Sequence, residues 1–137
     1  MIARIYLAFC VIVFLGLAIA LMFWPAQILK GVDVVFETPT ACADIRADYG
    51  GCILGVGLFM AYCLSKVRLV PLGLLLNGLT MFGYASGRIL SLFLDGMPKR
   101  IIFILIAIEL TTGLISLLLI PSANRKFEAV ELAAKVG

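Results

Sequence analysis

Apolar residues run through this chain in four long stretches, divided by short clusters rich in charge, proline and glycine. About 20 apolar residues cross a hydrocarbon core of roughly 30 Å. The pattern predicts spanning helices over about 5–24, 43–65, 70–95 and 100–120, followed by a polar tail over about 121–137. The first stretch contains no ionisable residue after Arg4 and ends in Met-Phe-Trp-Pro. A signal peptide has a shorter core of about 7–15 residues and a small-residue cleavage site. The stretch therefore reads as a retained helix, with Arg4 as one anchor, Trp24 in the interfacial belt and Pro25 as the stop.

The third stretch carries a polar stripe. Asn77, Thr80, Tyr84, Arg88, Ser91 and Asp95 follow at steps of three, four, four, three and four, which places all six on one helical face. An arginine two turns inside a membrane helix costs about 2.5–3.5 kcal/mol even on a lenient insertion scale. Arg88 must therefore face protein, water or a ligand. The fourth stretch holds a single acid, Glu109, with Thr112, Gly113 and Ser116 on its face. Counted at 1.5 Å per residue, Glu109 lies about 16 Å from Pro98 and Arg88 about 10 Å from Asp95, a difference two long side chains can bridge. Asn77 and Thr80 read as packing residues, each worth under about 2 kcal/mol.

The connections add detail. Residues 26–43 form the longest one, in which Ile28, Leu29, Val32 and Phe36 of PAQILKGVDVVF share a face, as in a short interfacial helix. The second span opens on ADIRADYGG, charged and then abruptly glycine-rich. Acids suit a helix start, which explains Asp44; Arg46 is not explained that way. Gly51 and Gly55, with Gly50 beside them, and Gly83 and Gly87 in the third span have small-x-x-x-small spacing, which predicts close helix packing there. Arg4, Lys66, Arg68, Arg125, Lys126 and Lys135 outnumber the bases of the opposite loops, which predicts both termini on the cytoplasmic side.

A length of 137 residues allows one domain, 1–137, and 64% hydrophobic residues with mean hydropathy +1.17 place it among all-α polytopic membrane proteins. The net charge of +3 is scattered over loop anchors and gives no nucleic-acid signal. Without histidine, histidine triads and cysteine-histidine zinc sites are excluded; the cysteine spacing, with no C-x-x-C pair, disfavours vicinal-dithiol chemistry, and neither metal nor cofactor is expected. A Cys42–Cys52 disulfide has only their shared membrane face in its favour.

The segments ADIRADYGG and GRILSLFLDG, with the late Glu109, resemble the R-x-x-Y-G-G, G-R-x-x-S-x-x-x-D-G and late-glutamate pattern of a bacterial four-helix membrane family of unknown function, distantly similar to the DoxX-like small membrane proteins. The resemblance implies a four-helix bundle in a bacterial inner membrane, marks Arg46, Tyr49, Gly50, Gly51, Gly87, Arg88, Ser91, Asp95, Gly96 and Glu109, and implies no activity. From the residues themselves, Arg46, Tyr49, Arg88, Ser91, Asp95 and Glu109 form a candidate ligand site in the outer half of the bundle, binding or translocating a small amphiphile or anion. The alternative is an accessory subunit, in a homo-oligomer or larger membrane complex, whose polar stripe is an internal ion-pair network. A membrane enzyme using Glu109 as acid or base ranks last, because no nucleophile-base pair accompanies it.

Overall fold

The computed structural model describes the backbone of residues 1–136 and the side chains of residues 1–125. Helix α1 covers Ile2–Phe23 and short α2 covers Pro25–Leu29; α3 covers Pro39–Ile45, α4 Cys52–Ser65, α5 Val70–Leu94 and α6 Arg100–Val136. Four helical segments are long and apolar enough to cross a membrane: Ile2–Phe23, Pro39–Ser65, Val67–Leu94 and Arg100–Arg125. The chain is thus all-α and four-span, with no strand among the described residues.

Three boundaries differ from the sequence pattern. The second span begins at Pro39 rather than near residue 43, because Thr38 caps it, its hydroxyl accepting from the Ala41 amide at 3.1 Å, and Pro39 pre-sets the first turn. The interfacial helix stops at a 3-10 turn over Lys30–Val32, where Asp33 turns left-handed and the Val34 amide closes on the Leu29 carbonyl at 3.2 Å. Leu29 is buried, and Val32 and Phe36 still pack on the core. Helix α6 continues through Pro121 instead of ending before it. The lost amide of Pro121 falls in the last turns of the span, and there the Ser122 hydroxyl bonds the Leu119 carbonyl at 2.8 Å. The tail anchors Lys126 and Lys135 lie outside the described side chains.

Between α3 and α4 the chain widens into a π-helical turn over Arg46–Gly51. This turn lays Gly50 on the end of α1: a Cβ there would meet Met22 Cγ at 2.6 Å and its backbone nitrogen at 3.2 Å. The core is a stripe on α1, with Leu7, Val11, Phe14, Ala18 and Leu21 packed against Ile53 and Met60 of α4 and Leu74 and Met81 of α5. The α5–α6 seam closes at Gly78 and Gly113; a Cβ on Gly78 would meet Leu117 at 2.8 Å. A buried polar cluster joins three helices beside it. Asn77 Nδ2 donates to Ser116 Oγ at 2.6 Å, while the Ser116 and Tyr6 hydroxyls both donate to the Thr112 carbonyl, at 2.9 and 2.8 Å.

The small-residue spacing pointed to other glycines. Among the described residues nothing lies within 4 Å of a Cβ added at Gly55, Gly83 or Gly87, and at Gly51 only the Arg46 carbonyl does, at 3.8 Å. Of the five glycines expected to pack, Gly50 alone touches a neighbouring helix closely. Gly50→Leu is therefore expected to destabilise the bundle by about 1–3 kcal/mol through overpacking. Gly83→Leu should leave the isolated chain no less stable, since leucine is the better helix former. Reversible SDS unfolding in mixed micelles measures both; equal loss in the two variants would contradict this packing.

Candidate functional site

Helices α5 and α6 approach closely at their middle and carry Arg88 and Glu109 toward the end where they are joined. Arg88 Nε donates to both Glu109 oxygens, at 2.9 and 3.2 Å. The Glu109 residue is 6% exposed, whereas a third of the Arg88 side chain remains open. Among the described residues the two terminal amino groups of Arg88 have no hydrogen-bond partner. The acid therefore holds the guanidinium by one edge only.

Arg88 lines a cavity of about 430 Å³. Gly87, Arg88, Ser91 and Asp95 of the α5 end form one wall; the Gly96–Lys99 turn and Ile102 of α6 form another, and Val32 and Asp33 complete it. Gly96 adopts φ +91°, a left-handed conformation that glycine accepts without strain and that turns the chain sharply after α5. Ser91 Oγ donates to Asp95 Oδ2. Across the rim, Lys99 Nζ pairs with Asp33 Oδ1, so the α2–α3 connection is tied to the α5–α6 turn. The volume falls in the range of roughly 300–1,000 Å³ typical of small-molecule sites.

The family model of a domain of unknown function, DUF4345, matches residues 2–120. The chain belongs to this family. No curated protein and no solved structure matches it. Every residue of the cavity lies inside the matched DUF4345 region, which ends within the last span.

In this DUF4345 chain the structure brings Arg88, Ser91, Asp95 and Glu109 together and sets two other expected residues apart from the cavity. Arg46 Nε donates to the Met22 carbonyl in the last turn of α1 at 2.9 Å. Arg4 does the same at the opposite end, where Nη2 bonds the Leu64 carbonyl of α4 at 3.2 Å. Arg4, in the first turn of α1, and Arg46, in the π-helical turn of the second span, thus each cap the end of the antiparallel neighbour, where a cation suits the dipole. Tyr49 is exposed and does not line the cavity. Asp33 and Lys99 join the site without having been singled out from the sequence. Their only signal is one acid and one base in two connections on the same membrane face.

The energetics of the Arg88–Glu109 pair can be tested directly. Arg88→Leu alone strands a buried carboxylate and is expected to cost roughly 3–5 kcal/mol, whereas Arg88→Leu with Glu109→Leu is expected to be neutral or stabilising by roughly 1–4 kcal/mol. SDS unfolding of the single and double variants in mixed micelles reads the difference. Equal destabilisation would show that the two side chains do not act as a charge pair.

Proposed function

We propose that this small multi-pass membrane protein binds an amphiphile or small molecule bearing an acidic group, with that group in the cavity beside Arg88. The observation that carries this reading is the one-edged hold of Glu109, which fixes the guanidinium while leaving its terminal amino groups available in open space. An arginine fork matches a carboxylate or phosphate, and charge-assisted bonds of this kind are the strong ones. A polar pocket containing an intramembrane arginine is also the usual mark of a ligand path. Ser91 supplies a further hydroxyl at the wall. Arg46 and Tyr49 are left out of the reading, since Arg46 serves as a helix cap. The address belongs to the same proposal: a bacterial inner membrane with both termini inside. It rests on the loop charges and on the resemblance to a bacterial four-helix family that is itself distantly similar to DoxX-like proteins.

The glycine face favours a second reading. Gly55 and Gly83 have the spacing of tight helix contacts yet meet nothing among the described residues, as expected if another helix, from a second copy or a larger complex, covers them.

Purification in mild detergent followed by native mass spectrometry separates the two. Wild type is expected to retain a small molecule, and the Arg88→Leu/Glu109→Leu double variant, which keeps the bundle neutral, should bind it about 10–100-fold more weakly, the worth of one or two charge-assisted bonds. Undiminished retention by the double variant would remove Arg88 from the site. A stoichiometric protein partner on an empty cavity, released by Gly83→Leu, would favour the subunit.

A further inference from the structure

The charges around the cavity do not balance, and the imbalance constrains the ligand. Its two cations are both paired, Arg88 with Glu109 and Lys99 with Asp33. Asp95 remains. Its carboxylate accepts the Ser91 hydroxyl but forms no ion pair among the described residues. It also stands at the C-cap of α5, where the helix dipole gathers partial negative charge. A carboxylate in that position raises the local negative potential and attracts a cation.

Arg88 and Asp95 thus bring opposite demands to one cavity, two helical turns or about 10 Å apart along α5. A purely anionic ligand satisfies Arg88 and is repelled by Asp95; a purely cationic one meets the reverse. The lining includes no aromatic ring, so nothing there offers the π face that recognises a quaternary ammonium. A primary ammonium, which donates hydrogen bonds to a carboxylate, suits Asp95 better.

Resting on the reading that the cavity binds an acidic group at Arg88, we infer that its ligand is a zwitterion, with a phosphate or carboxylate on Arg88 and a primary ammonium on Asp95. Phosphoethanolamine has this chemistry, either as a lipid headgroup or as a free solute. The position of the cavity, at the ends of α5 and α6 and walled by their connecting turn, is the level at which headgroups lie.

The full chain, reconstituted in nanodiscs of equal phosphatidylethanolamine and phosphatidylglycerol and examined by native mass spectrometry, tests the inference. The ethanolamine lipid should be retained about tenfold above its bulk share, as one charge-assisted contact predicts. Asp95→Asn should return it to that share, with the Arg88–Glu109 pair intact and helicity unchanged by circular dichroism. In parallel, soluble phosphoethanolamine is titrated into the detergent-solubilised protein by calorimetry. Binding there that Asp95→Asn abolishes, without lipid enrichment, supports a zwitterion from solution. Enrichment of the glycerol lipid, or ethanolamine enrichment that survives Asp95→Asn, overturns the zwitterion and leaves the anion site at Arg88 standing. Retention of neither compound overturns the inference; the Arg88/Glu109 double variant then decides separately whether the cavity binds anything.

Discussion

A charged guanidinium in the path of a helix that crosses hydrocarbon is tolerable only if something else in the protein carries its counter-charge. Glu109 does this for Arg88, and much of the bundle is arranged so that it can. The two side chains belong to helices joined by a short turn, so their depths match only if α5 and α6 run closely side by side. Gly78 and Gly113 permit that approach, and the Asn77–Ser116 bond adds a polar tie farther along the same seam. Polar residues on facing membrane helices have few alternatives to one another. The pair and the tie therefore fix the register of the two helices.

The same constraint explains the arginines at the other seam. Helix ends leave carbonyls without partners. Arg46 and Arg4 each reach across an antiparallel neighbour to a carbonyl in its last turns. In the first turn of α1 the dipole disfavours Arg4; at the neighbour's end each cation is favoured. The two caps lock α1 to the second span at both membrane faces, and Gly50 brings the backbones together at one of them. The π-helical turn that carries Arg46 and Gly50 is thus a fitting piece between two helices.

How far the sequence could be read follows from what each signal encodes. Long apolar runs and lone charges inside them carry their own physical penalty, so the four spans, the stripe on α5 and the depth match of Arg88 with Glu109 were legible. Partners across space were not. Arg46 looked like a ligand group because its actual partner is a backbone carbonyl 24 residues away, which no side-chain pattern reveals. Small-x-x-x-small spacing identifies a face able to pack, but not which neighbour occupies it; Gly83 and Gly87 kept the spacing while Gly78 and Gly113 made the contact. The stripe itself proved to be several devices in series. Asn77 is buried on Ser116, Arg88 is one-third open on Glu109, and Ser91 and Asp95 bond each other at the cavity wall.

That division explains why a structural ion pair and a binding group can be the same residue. If Glu109 engaged the whole guanidinium fork, Arg88 would be satisfied and silent, a register lock only. Because contact is through Nε, the counter-charge is supplied from the buried side and the donors on the other edge remain for the cavity. A fixed, partly desolvated arginine of this kind needs little reorganisation to receive an anion, which is the source of affinity in a preorganised site. The Asp33–Lys99 tie fixes the opposite wall in the same way, but it is exposed and therefore weak, worth about 0–1 kcal/mol. The deep wall of the cavity is thus the rigid one and the rim the yielding one, the order that the proposed ligand would need in order to enter and then be held.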